Sequence, residues 1–342
     1  MITIKKEDRP RRLIGITMGD PCGIGPEIIV KSLNSPAIRG LANYVILGNK
    51  KVLEHTARTL DIPINYHEIS HTQEIDSGKR SISLLSSGEF PIKLIKKKGP
   101  VAEAGELSVQ WILKGINLAM TGHLDALVTA PICKEAIFLG GSGYPGHTEM
   151  LQIFSGVKQV VMFMVGGKLR VAFATTHIAL KYVPQSITTE SLLRTISISN
   201  NSLKQYFGIK KPRIAICGLN PHASEEGRFG DEESKHIIPA IEKAKKKGIV
   251  CDGPVSADTI FYKALKGTYD LVVALYHDQG AIPLKLHAFE TGVNITMGIP
   301  FVRTSPDHGT AYDIAGKGIA NPRSMKEAIK MAVKMTEMSC SS

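Results

Sequence analysis

The feature that most constrains the fold is the alternation of short apolar runs with longer amphipathic segments. Runs rich in β-branched residues, such as Leu13–Met18, Arg213–Cys217 and Leu271–Leu275, have the length and composition of buried strands. Longer segments, such as Ala102–Met120 and Thr188–Phe207, carry apolar residues at helical spacing. This alternation predicts an α/β fold in which helices cover a sheet.

One pair of predicted strands runs antiparallel. Val160–Val165 and Leu169–Ala174 are separated by only a Gly-Gly-Lys turn, which predicts a hairpin. The sheet is therefore expected to be mixed rather than purely parallel. With 342 residues the chain is long enough for two domains, and we expect it to cross between them more than once.

Composition argues against several classes of protein. The net charge is +11, but the basic clusters at 5–12, 93–98 and 243–247 are short and lack interleaved aromatic residues. We interpret them as solvated surface, and we expect no nucleic-acid partner. Five widely spaced cysteines without a CxxC pair indicate a reducing compartment, and no apolar run approaches the roughly 18 residues of a membrane span. We therefore predict a cytoplasmic protein without membrane association.

Three histidines follow predicted strands directly. His177 comes after VAFATT, His222 after IAICGLNP and His277 after LVVALY. The carboxyl ends of neighbouring strands meet at one edge of a sheet, and imidazole is the commonest side-chain ligand for borderline divalent metals. Three ligands with an open position would form a catalytic metal site. No HxH or HExxH spacing supports this, so from the pattern alone packed or exposed histidines stay the favoured alternative.

The stretch from Asp270 to Pro322 carries isolated polar residues in strand-like, apolar surroundings. Lys285, Asn294 and Arg303 each stand alone among apolar neighbours. A solitary cation in such a run needs an anionic partner. That partner is either a nearby carboxylate or a ligand phosphate, for which arginine offers a two-pronged fork.

Two further segments have the form of ligand-binding turns. In GDPCGIGPE, Pro26 suits the first turn of a helix, and Gly23 and Gly25 would let the backbone approach a ligand. A purely structural role for this loop is an equal alternative. In GHTEM, Thr148 is a plausible N-cap, whereas His147 has no evident structural task.

Seven segments together resemble the 4-hydroxythreonine-4-phosphate dehydrogenase family of pyridoxal phosphate biosynthesis. They are GDPCGIGPE, GHTEML, ATTHIAL, GLNPHASE, YHDQG, GVNITMGIPFVRTSPDHGTA and DIAGKGIANP, and they extend over nearly the whole chain. GIGPE and HGTAYDIAGKGIANP also look like isopropylmalate and isocitrate dehydrogenases. The resemblance implies a two-domain α/β/α sandwich with mixed sheets and an active site in the interdomain cleft. Residues 1–135 with 302–342 would form the first domain, carrying the cofactor loop, and 136–301 the second.

The resemblance also implies an activity. The family oxidises 4-phosphooxy-L-threonine with NAD or NADP to a β-keto acid, which decarboxylates to 3-amino-2-oxopropyl phosphate. It works as a homodimer with active sites at the interface. Cys22, Cys133 and Ser224 depart from the usual family residues, which leaves open a paralogous branch of D-threonate or D-erythronate 4-phosphate dehydrogenases.

The family's functional residues fall on positions of this sequence. The metal ligands, for one Zn, Mg or Co ion, are His177, His222 and His277. The substrate contacts are His147, Thr148, Lys285, Asn294 and Arg303. Similarity to the cousin dehydrogenases implies that the cofactor lies on the loop His308–Asn321, with His308, Gly309, Asp313 and Asn321 as its contacts. Asp313 would meet the ribose hydroxyls and Asn321 the adenine. Lys285 and Asp258 are candidates for the general base by position alone.

Overall fold

The structure is a computed structural model that describes residues 11–75 and 80–340, apart from the Cys340 side chain. Lys5, Lys6 and Arg9 of the first basic cluster lie outside these residues. Contacts divide the described chain into two compact units, namely residues up to 159 with 299–340, and residues 160–298. His147 and Thr148 are grouped with the first unit, whereas the domain boundaries given by the resemblance stay a prediction.

The described residues form twelve strands and twelve α-helices, besides short 3-10 and π-helical turns. The strands are β1 (Leu13–Thr17), β2 (Asn43–Gly48), β3 (His67–Ile69), β4 (Ile82–Ser86), β5 (Ala126–Thr129), β6 (Val161–Gly166), β7 (Leu169–Phe173), β8 (Ile214–Cys217), β9 (Cys251–Val255), β10 (Leu271–Ala274), β11 (Val293–Met297) and β12 (Val302–Pro306). The helices are α1 (Gly25–Leu33), α2 (Pro36–Arg39), α3 (Lys50–Leu60), α4 (Ala102–Met120), α5 (Lys134–Leu139), α6 (His147–Phe154), α7 (Val183–Ser186), α8 (Thr189–Phe207), α9 (Ile238–Lys246), α10 (Ala257–Leu265), α11 (His277–Ala288) and α12 (Arg323–Cys340). Of the helices described, none combines the length and the apolarity that crossing a membrane requires.

In the first unit the described strands all pair in parallel, in the order β3-β4-β2-β1-β5-β12. Every residue of β1 and β2 is buried, as expected for strands covered on both faces. Helix α4 packs on β1, β2 and β5, and its Trp111 is fully buried. Helix α12 packs on β1, β5 and β12. The predicted arrangement of helices covering a sheet is confirmed.

In the second unit the strand order is β11-β6-β7-β10-β8-β9. Strands β6 and β7 form the predicted hairpin, with Gly166 opposite Leu169, and β11 pairs antiparallel with β6. The remaining pairs, β7 with β10, β10 with β8 and β8 with β9, are parallel. The mixed sheet predicted from the hairpin is therefore confirmed in this unit.

The isolated Lys285 lies on a helix and not in a strand-like segment, which corrects our sequence interpretation. Helix α11 starts at His277 and contains both Gly280 and Pro283. Proline removes a backbone donor from the helix and glycine weakens it, so the local sequence argues against a helix here. Packing of α11 against β6, β7 and β10 overrides that preference.

A glycine in the first turn of helix α4 permits a close approach of helix α5. A Cβ built on Gly105 would lie 1.9 Å from the carbonyl oxygen of Ala136, a backbone atom that cannot turn aside. We expect Gly105→Ala to destabilise the protein by about 1–3 kcal/mol in urea unfolding, although glycine to alanine in an open helix is stabilising. Gly115→Ala on the same helix is the control, since its Cβ meets mainly the Leu127 side chain and should cost less. Equal or greater stability of Gly105→Ala would contradict this packing.

Candidate active site

Three parallel strand ends lie side by side in the second unit. The ends of β7 and β10 are level, with Phe173 opposite Ala274, and β8 pairs with the other side of β10. Beyond the strands, Thr175 Oγ1 donates a hydrogen bond of 2.7 Å to the carbonyl oxygen of Leu275. The segments carrying His177 and His277 are therefore held together, as the position of the histidines after neighbouring strands predicted.

The rings of His177 and His277 are neighbours. Their centroids are 5.6 Å apart and their planes are tilted by 38°. Nδ1 of His277 lies 2.7 Å from Oδ1 of Asp278. Because an ionised carboxylate only accepts hydrogen bonds, this contact places a proton on Nδ1 and leaves Nε2 available to a ligand, an arrangement common among metal-binding histidines.

His222 lies on a loop with unusual backbone geometry. Residues 222–226 all have positive φ, beginning with φ 51° at His222 itself. Residues other than glycine rarely adopt a positive φ, so surrounding contacts must hold this loop in its conformation. Glu233, which is buried in a π-helical turn, accepts hydrogen bonds of 2.8 Å from the backbone nitrogens of Leu219 and Asn220 and from the Asn220 side chain. The loop is therefore fixed by a carboxylate that the sequence analysis did not single out.

The three histidines do not form a closed ligand set in one chain. Among the residues that the structure describes, no group of three or more His, Cys, Asp or Glu side chains is placed to hold a metal ion. The assignment of His222 to a shared site with His177 and His277 stays a prediction.

Gln279 links the loop of His222 to the segment of His277. Its Oε1 accepts a hydrogen bond of 2.7 Å from the backbone nitrogen of Leu275, and its Nε2 donates one of 2.8 Å to the carbonyl oxygen of Gly218. Gln279 was not among the site residues predicted from the sequence. Its place within YHDQG, directly after a strand end, was the available signal.

The other candidates in the second unit lie on three different elements. Half-buried Lys285 lies on α11 about two turns after His277, and half-buried Asn294 lies in β11 opposite Met164. Asp258 is exposed in the first turn of α10, where it accepts a hydrogen bond of 2.6 Å from Ser256 Oγ. Helix α10 packs against the segment that contains His222. The assignment of Lys285 or Asp258 as the general base stays a prediction.

Arg303 is a buried cation of the first unit. It lies in β12 with 4% of its surface exposed, opposite Leu127 of β5, and its Nη2 donates a hydrogen bond of 2.6 Å to Thr129 Oγ1. Burial lowers the pKa of Arg303 to about 9, which still leaves it charged at neutral pH. Burying a charged group is costly unless it is paired and hydrogen-bonded, and the bond to Thr129 supplies part of that compensation.

A cavity of about 160 Å³ lies beside Thr129 and is lined by two of the predicted site histidines. His147 and His308 both line it, as does Lys134. Nε2 of His147 is shielded from solvent and, among the residues that the structure describes, has no hydrogen-bond partner. Burial, and secondly the charge of Arg303, lower the pKa of His147 well below its usual value. His147 is therefore a neutral ring with one unused polar atom at this cavity.

Thr148 does not cap helix α6. The cap residue is Gly146, without a side-chain hydrogen bond, and Thr148 is the second residue of the helix. The sequence interpretation of Thr148 as an N-cap is therefore wrong, and its hydroxyl is not used at that position. This removes the structural explanation that competed with its predicted substrate contact.

The loop from His308 to Asn321 connects β12 to α12. His308 is half-buried, and Gly309, Asp313 and Asn321 are exposed. Tyr312 Oη donates a hydrogen bond of 2.6 Å to Oδ2 of buried Asp20, and burial raises the pKa values of both groups. An exposed carboxylate at Asp313 suits the hydroxyls of a ribose, so the loop fits the cofactor contact that the resemblance implies.

A comparison with known protein families matches residues 40–332 to the family described as pyridoxal phosphate biosynthetic protein PdxA. The chain belongs to this family. It is 44% identical over 329 residues to the 4-hydroxythreonine-4-phosphate dehydrogenase of Trichlorobacter lovleyi, covering 95% of this chain and 98% of that protein. It is also 44% identical over 324 residues to the D-threonate 4-phosphate dehydrogenase of Cupriavidus necator, covering 94% and 97%.

Solved structures agree with this membership. The crystal structure of 4-hydroxythreonine-4-phosphate dehydrogenase from Klebsiella pneumoniae superposes with a TM-score of 0.86 at 39% identity, covering 96% of this chain and 99% of that one. Isocitrate dehydrogenase from Methylococcus capsulatus, at 14% identity and a TM-score of 0.50, shares the fold alone, with 96% and 87% covered. The predicted family and fold class are confirmed, and the protein is an oxidoreductase of the dehydrogenase class.

Proposed function

We propose that the protein oxidises 4-phosphooxy-L-threonine with NAD or NADP, in a reaction that depends on a divalent metal ion. The product would be a β-keto acid that loses carbon dioxide to give 3-amino-2-oxopropyl phosphate, a step of pyridoxal 5′-phosphate biosynthesis. The observation that carries the proposal is the cavity beside Thr129. There a neutral His147 and a buried Arg303 lie close together in a chain of the dehydrogenase class.

The substrate would be held by five residues. The guanidinium of Arg303 supplies a two-pronged donor for an anionic group, and the unused Nε2 of His147 supplies a further polar contact. Thr148, which does not cap its helix, adds a hydroxyl beside His147. Lys285 and Asn294 of the second unit complete the proposed set. These residues would fix the reacting carbon relative to the cofactor.

The metal would be held by His177, His222 and His277. Two imidazoles that share one tetrahedral ion, each with a nitrogen about 2 Å from it, have centroids about 5 Å apart. The separation of 5.6 Å between His177 and His277 supports such sharing, and the Asp278 contact leaves Nε2 of His277 facing a ligand. Three nitrogen ligands suit zinc or cobalt. Magnesium is the third ion that we propose for the site.

The cofactor would lie on the loop from His308 to Asn321, with Asp313 at the ribose and Asn321 at the adenine. Bound at these residues, a nicotinamide accepts a hydride, and a divalent ion lowers the pKa of the substrate hydroxyl and stabilises negative charge as carbon dioxide leaves. The proton of that hydroxyl would pass to Nζ of Lys285 or to the carboxylate of Asp258. Lys285 is half-buried on the helix that starts at His277, which favours it slightly by position.

The active enzyme would be a homodimer with its active sites at the interface. Ile282 and Leu286 of helix α11 and its C-cap residue Phe289 follow one another at helical spacing, with 57, 85 and 76% of their surface exposed. An apolar stripe of this kind is typical of a surface that another chain covers. A second chain would also explain how an incomplete ligand set becomes a metal site. Sedimentation as a monomer at assay concentrations would contradict this part of the proposal. The free cysteines Cys22, Cys133, Cys217 and Cys251 are consistent with the cytoplasmic location that we propose for it.

A panel of three substrates tests the proposed reaction. NADH or NADPH formation is measured with 4-phosphooxy-L-threonine, 4-phospho-D-threonate and D-erythronate 4-phosphate, each with added zinc, cobalt or magnesium. We expect the highest kcat/KM with the threonine phosphate, and little activity after chelation. Activity confined to the other two substrates would contradict the proposal.

The second candidate function is oxidation of D-threonate or D-erythronate 4-phosphate. It is favoured by the D-threonate 4-phosphate dehydrogenase of C. necator, which is as similar to this chain as the threonine-phosphate enzyme of T. lovleyi. 4-Phosphooxy-L-threonine and 4-phospho-D-threonate both carry a phosphate and a hydroxyl, but only the first has an amino group. The same panel therefore separates the two functions.

A further inference from the structure

The loop from His308 to Asn321 is hydrogen-bonded to helix α1 near the C-terminal end of the helix. Lys31 Nζ donates hydrogen bonds of 2.8 Å to the carbonyl oxygens of both Gly318 and Ala320. It also lies 2.7 Å from Oε1 of Glu27, one turn earlier on the helix. The same Oε1 accepts a hydrogen bond of 2.9 Å from the backbone nitrogen of Ala320. The Lys31–Glu27 ion pair therefore bonds one backbone N–H group and two backbone carbonyl oxygens of the loop.

Burial makes this ion pair depend on the loop. Glu27 has only 2% of its surface exposed, and a buried carboxylate is stable only when it is paired and hydrogen-bonded. If the loop left its position, Glu27 would lose the Ala320 donor and Lys31 would lose two acceptors. Hydrogen bonds to charged groups are stronger than neutral ones, so the pair favours one loop conformation.

A second set of contacts holds the other half of the loop. Tyr312 donates to buried Asp20, and the backbone nitrogen of Ile24 donates a hydrogen bond of 2.9 Å to the carbonyl oxygen of Thr310. A Cβ built on Gly23 would lie only 2.9 Å from that same carbonyl oxygen. The glycine at position 23 therefore lets the turn before α1 touch the loop. This close neighbour is protein backbone, which is the structural alternative that the sequence left open.

We propose that Lys31, Glu27 and Tyr312 are positioning residues for the dinucleotide cofactor. They hold the loop in its binding conformation before the cofactor arrives, so that Asp313 and Asn321 are already in place. Ordering a loop during binding reduces affinity, and holding it beforehand avoids that cost. The proposal rests on the proposed function, which assigns this loop to the adenosine part of NAD or NADP.

Substitution of Lys31 tests the proposal. Lys31→Met is expected to raise the Kd for NAD or NADP, measured by calorimetry without substrate, about tenfold, because three hydrogen bonds of a charged group are lost. The KM for the cofactor should rise in parallel, while kcat and the KM for the phosphorylated substrate change less than about twofold. Amide hydrogen exchange of residues 308–321 should speed up. Lys31→Arg should recover part of the affinity because it keeps the charge.

A control variant and a second test variant accompany Lys31→Met. Lys50→Met removes an ion pair of the same 2.7 Å length, to Glu68, from exposed surface of the same unit, and should leave the Kd unchanged. Tyr312→Phe keeps the ring and removes the hydroxyl that bonds Asp20 and also contacts Cys133, so it carries the test if Lys31→Met does not fold. We expect it to raise the Kd about threefold.

The outcomes separate this proposal from the function on which it rests. Faster exchange in the loop with an unchanged Kd would overturn the positioning role, as would a fall in kcat with an unchanged Kd. If the unsubstituted protein binds neither NAD nor NADP, the assignment of the loop to the cofactor fails, and this proposal fails with it. If the unsubstituted protein binds the cofactor and the Lys31 and Tyr312 variants bind it equally well, only the positioning role fails.

Discussion

Replacing Arg303 with methionine is expected to lower kcat/KM for the phosphorylated substrate about a thousandfold, which corresponds to about 4 kcal/mol. Arg303 is buried in β12 and anchored by Thr129, so its guanidinium would meet an anionic substrate with little water to screen the charge. Methionine has a similar length and retains the packing of the strand while removing the charge. Steady-state kinetics with the preferred substrate of the three-substrate panel measure the loss.

Two arginine variants distinguish lost recognition from lost stability. Arg303→Lys keeps a charge but not the planar fork, and should recover only part of the activity. Arg170→Met is the matched control, since Arg170 is a partly buried strand arginine that donates to the carbonyl oxygen of Asp270 and packs over Phe207. It should lower the melting temperature without raising the KM. A normal kcat/KM in folded Arg303→Met would contradict the substrate role.

The same substitution has a consequence for His147 that can be measured separately. The positive charge of Arg303 is the second cause, after burial, of the lowered pKa of His147. A neighbouring cation disfavours the protonated ring, so removing the cation should raise the pKa of His147 toward its usual value. An NMR titration of the imidazole follows this change. If the pKa of His147 is unchanged in Arg303→Met, burial alone accounts for its shift.

The parts of the site that could be predicted are those marked by a local sequence pattern. β-Branched runs that stop at His177 and His277 predicted strand ends, and the parallel pairing of β7 with β10 brings those two residues together. Helix α11 could not be predicted in the same way, because Gly280 and Pro283 oppose a helix locally and only packing on the sheet stabilises it. The fold class followed from alternation along the chain, whereas the position of Lys285 did not.

The residues that sequence reasoning missed act through contacts between distant segments. Glu233 fixes the loop of His222 through the backbone of Leu219 and Asn220, and Thr129 anchors Arg303 across 174 positions of sequence. Neither side chain is unusual for its local segment, so no periodicity or motif marks it. Their roles follow only from register and loop conformation, which a single sequence does not specify.

Replacing His277 with alanine is expected to remove the bound divalent ion and to lower kcat about a thousandfold or more. His277 is the best-defined ligand of the proposed metal site, because its ring lies 5.6 Å from that of His177 and its Nδ1 is hydrogen-bonded to Asp278. Removing it would leave at most two of the three proposed nitrogen ligands. Metal content is measured by mass spectrometry after dialysis, and turnover with zinc, cobalt or magnesium restored.

Two variants on the same helix show whether the loss is specific. Asp278→Asn keeps His277 but weakens its orientation, and should lower metal affinity about 10–100-fold, the usual effect of removing such a partner. His287→Ala removes an exposed histidine near the other end of α11 and should change neither metal content nor kcat. If His277→Ala keeps its metal and its turnover, the ion is held elsewhere or is not needed. If all three variants lose metal equally, the helix rather than the imidazole is responsible, and the three-histidine assignment fails.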